Sequence, residues 1–226
     1  MVHKTDYLGH DLLYQRRKSE GRDGWNDDKD WQEWRADILD LIASGNLPAS
    51  GKVLELGCGA GDVSLLFAGK GYQVSGIEIS PTAVDWARGK ALKAGLTADF
   101  QVGDVRDLGR WVDGHFNIVI DGHCLHCIIG GDRADVLSET YRVLKPGGVF
   151  YICTMCGDPK ATRIREDFDP ESRCLVSNGV AYRYLGRPED VVRELNESGF
   201  KIVRKHLREV GDNQEDQDNL LIVAVK

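Results

Sequence analysis

The segment Val53-Leu54-Glu55-Leu56-Gly57-Cys58-Gly59-Ala60-Gly61-Asp62 constrains this chain more than any other. A short apolar run delivers the backbone into a loop with glycine at every second position, and helix-forming residues follow at once. Glycine accepts positive φ and lets the backbone approach a ligand closely. A strand, such a loop and a helix in that order mark the ligand-binding edge of an open α/β sheet, at the carboxyl ends of its strands. The dinucleotide fingerprint spaces its glycines G-x-G-x-x-G so that a pyrophosphate meets the helix N-terminus. Here the spacing is G-x-G-x-G behind an acidic residue, Glu55. A carboxylate there suits a ligand carrying positive charge better than a pyrophosphate.

The rest of the chain alternates in the same sense. Strands are expected at 52–56, 72–79, 99–102, 116–120 and 149–153, and helices at 62–70 and 81–94. Ser80-Pro81 supplies an N-cap and a first-turn proline. A further helix through Leu137, Tyr141 and Leu144 stops at Lys145-Pro146-Gly147-Gly148. Upstream, Trp31, Trp34, Ile38, Leu41 and Ile42 recur at helical spacing, with Asp30 as N-cap and Glu33 completing a capping box. These tryptophans read as a seam between helix and core rather than as a ligand cage. Pro188 opens a last helix, and 200–210 and 220–225 form two strands with no helix between them, joined by the acidic loop 211–219. The expected fold is a single Rossmann-like, doubly wound α/β domain over residues 1–226, with helices on both faces. Its mainly parallel sheet has about seven strands, the last pair antiparallel. Within it, 1–46 form cap helices, 50–153 the binding core and 188–226 the closing helix and hairpin. Residues 154–187 interrupt the alternation, and Asn178-Gly179 there is a strong hairpin signal. This insert reads as a lid or, equally, as an edge hairpin or subunit contact.

Composition narrows the function classes. The net charge of −7 speaks against bulk capture of nucleic acid, though a local basic groove stays open. No apolar run reaches the roughly 18–20 residues that span a bilayer. The N-terminal stretch has no continuous apolar segment of secretory type, so a cytoplasmic location is expected. The six cysteines then read as thiols rather than disulfides.

At this point the sequence resembles the class I S-adenosylmethionine-dependent methyltransferases over about residues 50–155. The resemblance implies that Glu55, Gly57, Cys58, Gly59 and Gly61 hold the methionine part of the cofactor. It implies that Glu78, with Ile79, binds both ribose hydroxyls, as a carboxylate can for a vicinal diol. It places Asp104, with Val105, at the adenine amino group, and Asp121 and Gly122 beside the sulfonium and the acceptor. Val143-Leu144-Lys145-Pro146-Gly147-Gly148-Val149 also looks typical of the family. The activity implied is direct S_N2 transfer of a methyl group to a small-molecule acceptor, leaving S-adenosylhomocysteine. Two further readings stay open: a tRNA or protein methyltransferase, and a non-catalytic regulatory protein that keeps the cofactor.

After the fourth strand, His123 and His126 are the candidate catalytic residues, as general base or substrate-orienting group. Which of the two acts is open. Leu125-His126 matches a Leu-His pair common in small-molecule members of the family. Cys124-x-x-Cys127 and Cys153-x-x-Cys156 invite a zinc reading, but the interval between them is filled by a helix and a strand. Buried free cysteine is also a common small hydrophobe; a thiol-lined substrate pocket ranks above a metal site, and no metal is expected. Arg163, Arg165, Arg173, Arg183 and Arg187 of the insert, with Arg16, Arg17 and Lys18, suit an anionic acceptor. The favoured reading for them is a solvated surface. Tyr7, Tyr14 and Trp25 are candidates to cover the cofactor, and a homodimer is left open.

Overall fold

The computed structural model describes residues 3–25, 28–211 and 217–226, with residues 28–30 described by backbone alone. The elements in order are β1 (Lys4–Thr5), α1 (His10–Ser19), α2 (Asp28–Ala43), β2 (Lys52–Leu56), α3 (Asp62–Gly69), β3 (Gln73–Glu78), α4 (Pro81–Ala94) and β4 (Asp99–Val102). Then come β5 (Phe116–Gly122), α5 (Asp132–Val143), β6 (Leu144–Met155), α6 (Thr162–Arg165), β7 (Phe168–Asp169), β8 (Cys174–Ser177), β9 (Val180–Tyr184), α7 (Pro188–Glu197), β10 (Lys201–Arg208) and β11 (Asn219–Val225). Short 3-10 turns lie at Tyr7–Gly9 and Leu125–Cys127.

The main sheet has seven strands in the order β10-β11-β6-β5-β2-β3-β4. β6 to β4 run parallel, while β11 lies antiparallel to both β6 and β10. The strand period of two sends alternate residues to opposite faces. Leu54, Leu56, Val119, Phe150 and Ile152 pack with α5 and α7 through Val136, Leu137, Val191 and Leu195. Val53, Ile118, Ile120 and Tyr151 pack on the other face with α2 and α3 through Trp34, Ile38, Val63 and Phe67. Ala83, Val84, Ala87 and Ala91 bury the inner side of α4, Val84, Ala87 and Ala91 of them against Phe100. Its N-terminus is built as the sequence suggests: the Ser80 hydroxyl accepts from the Ala83 N–H at 3.0 Å, and Pro81 follows.

Several boundaries differ from the sequence reading. α2 begins at Asp28, so Asp30 stands in its first turn rather than at its N-cap. α5 ends at Val143, and β6 runs from Leu144 through the glycine pair instead of starting at Val149. The C-terminus explains this, because Gly147 and Gly148 exchange backbone bonds with Lys226 at 3.0 and 3.1 Å. The acidic loop between β10 and β11 falls mostly outside the described residues, since 212–216 are not among them.

The insert does form a hairpin. Asn178 and Gly179 both take positive φ, 50° and 75°, as a tight turn that follows the strand twist requires. What periodicity did not reveal is its setting. β8 and β9 sit in a separate four-stranded sheet, β1-β9-β8-β7, in which the N-terminal strand β1 pairs parallel with β9. The chain's beginning and its insert are thereby joined. Arg133 of α5 ties this sheet to the core: it is buried, chelates Glu194 and lies 4.4 Å over the Tyr184 ring.

Candidate active site

A cavity of about 580 Å³ opens at the carboxyl ends of β2, β3, β4, β5 and β6, a size that suits a small molecule. The glycine loop forms its floor. Gly57, Gly59 and Gly61 have φ of 59°, 51° and 82°. A Cβ at Gly57 would stand 2.8 Å from the Cys124 thiol, and one at Gly59 would run into the Tyr14 hydroxyl. The alternating glycines therefore give room both to the turn after β5 and to the side chain that closes over the loop.

Glu55 and Glu78 frame this floor, and both are buried. The Ser64 N–H and hydroxyl donate to Glu55 Oε2, the former at 2.8 Å. Burial outweighs those bonds and pushes the Glu55 carboxyl up to about 8. Glu78 accepts from the Gly59 N–H at 3.1 Å and the Ser80 N–H at 2.9 Å, so its orientation is fixed, and burial raises its pKa too. Asp104 is held differently. Both its oxygens accept from Arg106, which also reaches Asp132 at 2.9 Å and stacks over Tyr7 at 5.0 Å. Burial raises the Asp104 carboxyl, but Arg106 prevails and holds it below the usual range.

Glu55, Gly57, Cys58, Gly59, Glu78, Ile79, Asp104, Val105, Gly122, His123 and His126 all line the cavity. Gly61 serves instead as the N-cap of α3. Asp121 requires a correction. It is fully buried away from the cavity, and its Oδ1 accepts from the N–H groups of Cys124 and Leu125 at 2.8 and 2.7 Å. Its other oxygen has no hydrogen-bond partner among the described residues, and burial lifts its pKa to about 7. Its role is to shape the turn that presents the histidines.

That turn separates the two histidines. His126 is buried, and its Nδ1 accepts from the Met155 N–H at 3.3 Å. Burial, reinforced by the nearby Arg183 cation, drives its pKa well below the ordinary value. A neutral ring whose Nδ1 accepts carries its proton on Nε2, which makes His126 a hydrogen-bond donor. His123 adopts positive φ, 70°, unusual for a residue with a Cβ. Its Nε2 lies 3.5 Å from the Cys153 thiol, and its ring meets Trp34 edge-on at 5.1 Å. Trp34 is thus the core seam expected from its spacing and also a wall of the cavity.

The cap over the cavity comes from α1. Asp11 accepts from the Ser80 hydroxyl at 2.6 Å and the Thr82 N–H at 3.0 Å, docking α1 on the N-terminus of α4. The Tyr14 and Trp25 rings meet at a tilt of 54° with centroids 5.0 Å apart, and Arg17 lies 4.3 Å over the Trp25 ring. Arg16, Lys18, Arg163, Arg165 and Arg187 are exposed, as expected of a solvated surface, but two arginines of the insert are not. Arg173 is buried, reaching Asp158 at 2.6 Å, and Arg183 enters the cavity, where its Nη1 lies 2.9 Å from the Cys127 sulfur. His10 and Arg106 carried no distinguishing sequence signal; long-range packing alone brings them to the site.

The cysteine pairs do not converge as one knuckle. Cys153 packs with Trp34 and Tyr151 on one face of the sheet and Cys156 with Leu125 on the other. Among the described residues, no three His, Cys, Asp or Glu side chains are grouped as metal ligands would be.

Comparison with known proteins agrees with this geometry. A methyltransferase-domain family model matches residues 53–148. A ubiquinone biosynthesis O-methyltransferase of Xanthomonas axonopodis pv. citri is 32% identical over 165 residues, covering 73% of this chain and 68% of that protein. The chain belongs to the class I S-adenosylmethionine-dependent methyltransferases. A solved structure from Pyrococcus horikoshii superposes on this methyltransferase with a TM-score of 0.70 at 26% identity, over 86% of this chain and 90% of the other. An S-adenosyl-L-methionine-dependent Diels-Alderase of Talaromyces variabilis is 31% identical over 74% of this chain and 58% of its own.

The residues present fit the cofactor. Gly57 and Gly59 bring bare backbone to the cavity floor, and two buried carboxylates, Glu55 and Glu78, line the same cavity, a donor set suited to a ligand whose methionine end carries positive charge. A cation bound beside Glu55 would favour its ionised form, lowering the pKa from about 8 and releasing a proton. Affinity for S-adenosylmethionine is therefore expected to rise from pH 6 to about 8, by up to roughly tenfold per unit, and then to level off. Calorimetry across that range checks this, and Glu55→Gln should abolish the slope. A flat wild-type profile would show that Glu55 does not sense the ligand's charge.

Proposed function

We propose that this methyltransferase methylates a hydroxyl of a small, anionic acceptor held between the turn at 123–127 and the hairpin insert. The carrying observation is the pairing of His123 with a neutral, buried His126 at the cavity wall. When bound, S-adenosylmethionine supplies an electrophilic methyl group on a sulfonium. Glu55 and the glycine loop hold its methionine part, Glu78 its ribose and the Asp104 side its adenine. His126 Nε2 donates to the acceptor and orients it. His123 takes the hydroxyl proton as the oxygen becomes nucleophilic. Arg183 supplies the positive charge that selects an anion, and α1 with the insert excludes water. The name of the Xanthomonas relative supports oxygen as the methylated atom and a small molecule as acceptor.

The test is turnover with S-adenosylmethionine against a panel of hydroxylated aromatic acids, their neutral esters, bulk tRNA and protein. The expected result is O-methylation of acids in preference to esters. Methyl transfer confined to RNA or protein, or a preference for the esters, would overturn this reading.

A further inference from the structure

Cys127 differs from the other five cysteines in its surroundings. It sits half-buried at the end of the 3-10 turn and lines the cavity. Two basic side chains from distant parts of the chain converge on it: Arg183 of β9, whose Nη1 lies 2.9 Å from its sulfur, and His10 of α1, which lines the same cavity beside it. His10 is itself oriented by the Tyr7 carbonyl, 3.1 Å from its Nδ1. This leaves Nε2 for the sulfur. The turn contributes His123, Cys124, His126 and, behind them, Asp121, an acid that opposes the thiolate; Tyr14 faces it from α1, and Glu78 acts on His10 from β3.

We propose that Cys127 is an activated nucleophile and a covalent modification site for small α,β-unsaturated carbonyl compounds. A thiolate, not a thiol, is the reactive form, and adjacent cations create it. Burial raises the Cys127 thiol, yet Arg183 and His10 prevail and hold it below the usual range, while the neighbouring sulfur raises His10 in turn. The other thiols go the other way: burial pushes up Cys58, Cys124, Cys153 and Cys174, and Cys156 to about 12.

The reaction balances with the groups in place. The sulfur lone pair forms an S–C bond to the β-carbon, and the alkene π pair moves to the carbonyl oxygen as an enolate. The enolate takes the proton of the His10 imidazolium and tautomerises to the carbonyl. Thiolate and imidazolium become thioether and neutral imidazole, with no oxidant or reductant needed.

The experiment is substoichiometric N-ethylmaleimide on the full chain at pH 7, followed by peptide mass spectrometry. Cys127 should label about tenfold faster than any other cysteine. Arg183→Gln and His10→Gln should each slow it several-fold and shift its pH–rate midpoint upward, whereas Arg183→Lys, which keeps the cation, should retain most of the rate. Labelling spread evenly over the six thiols would overturn the proposal. So would an unchanged Cys127 rate in both the glutamine variants, or Arg183→Lys labelling as slowly as Arg183→Gln.

Discussion

Replacing Glu78 with alanine is expected to weaken S-adenosylhomocysteine binding about 100-fold, the largest effect of any single change on the donor side. The argument is geometric. Glu78 is buried at the end of β3, and its two oxygens are already aimed by the Gly59 and Ser80 N–H groups. A carboxylate so held presents its remaining lone pairs in a fixed direction, which suits the paired hydroxyls of a ribose. Each hydrogen bond to a charged group contributes about 1.5–3 kcal/mol, and the loss of two corresponds to at least the stated factor. Alanine also leaves the Gly59 N–H without its acceptor, loosening the loop from the other side. Glu78→Gln keeps acceptor atoms and should lose about tenfold. Calorimetry measures both, with thermal melts of the ligand-free proteins as control. If Glu78→Ala binds as tightly as the parent, the diol assignment is wrong.

Most of the architecture was legible because local chemistry and tertiary structure agree along the main sheet. The apolar runs that became β2, β3 and β5, the Ser80-Pro81 cap and the Asn178-Gly179 turn each carry their own signal in neighbouring residues. The parallel pairing of β1 with β9 could not be read that way, because it links residues 4–5 to 180–181 through register alone. The start of β6 was missed for a similar reason, since Lys226 supplies the partners that turn a helix-stop motif into strand.

The site divides along the same line. Glu55 and Glu78 lie in the last residues of strands and the glycines and Asp104 just beyond them, so their spacing in the chain carries over into space. Asp121 shows where that logic fails. It also ends a strand, but the strand's alternation turns it inward, where the Cys124 and Leu125 N–H groups take it as a cap. The acceptor wall draws on α1, α2, the insert and β10, and no motif joins those segments.

The last expectation concerns that wall. Changing His123 to alanine should lower kcat about 100-fold while cofactor affinity stays within a factor of about two. Of the two rings, His123 suits a proton acceptor better. The His126 Nδ1 is taken by the Met155 N–H, so its outward nitrogen bears hydrogen and must donate. Burial and Arg183 further disfavour a second proton on it. His123 is held in a left-handed backbone conformation between Trp34 and Cys153, strain that a residue serving only to fill space would not need. Loss of the base should flatten the acidic limb of the pH–rate profile, whereas His126→Ala should chiefly raise KM and leave that limb in place. Steady-state kinetics between pH 5.5 and 9 with the best acceptor of the panel would show the difference. If His123→Ala keeps full turnover and the parental pH dependence, His123 does not move the proton, and the acceptor must ionise without help from this ring.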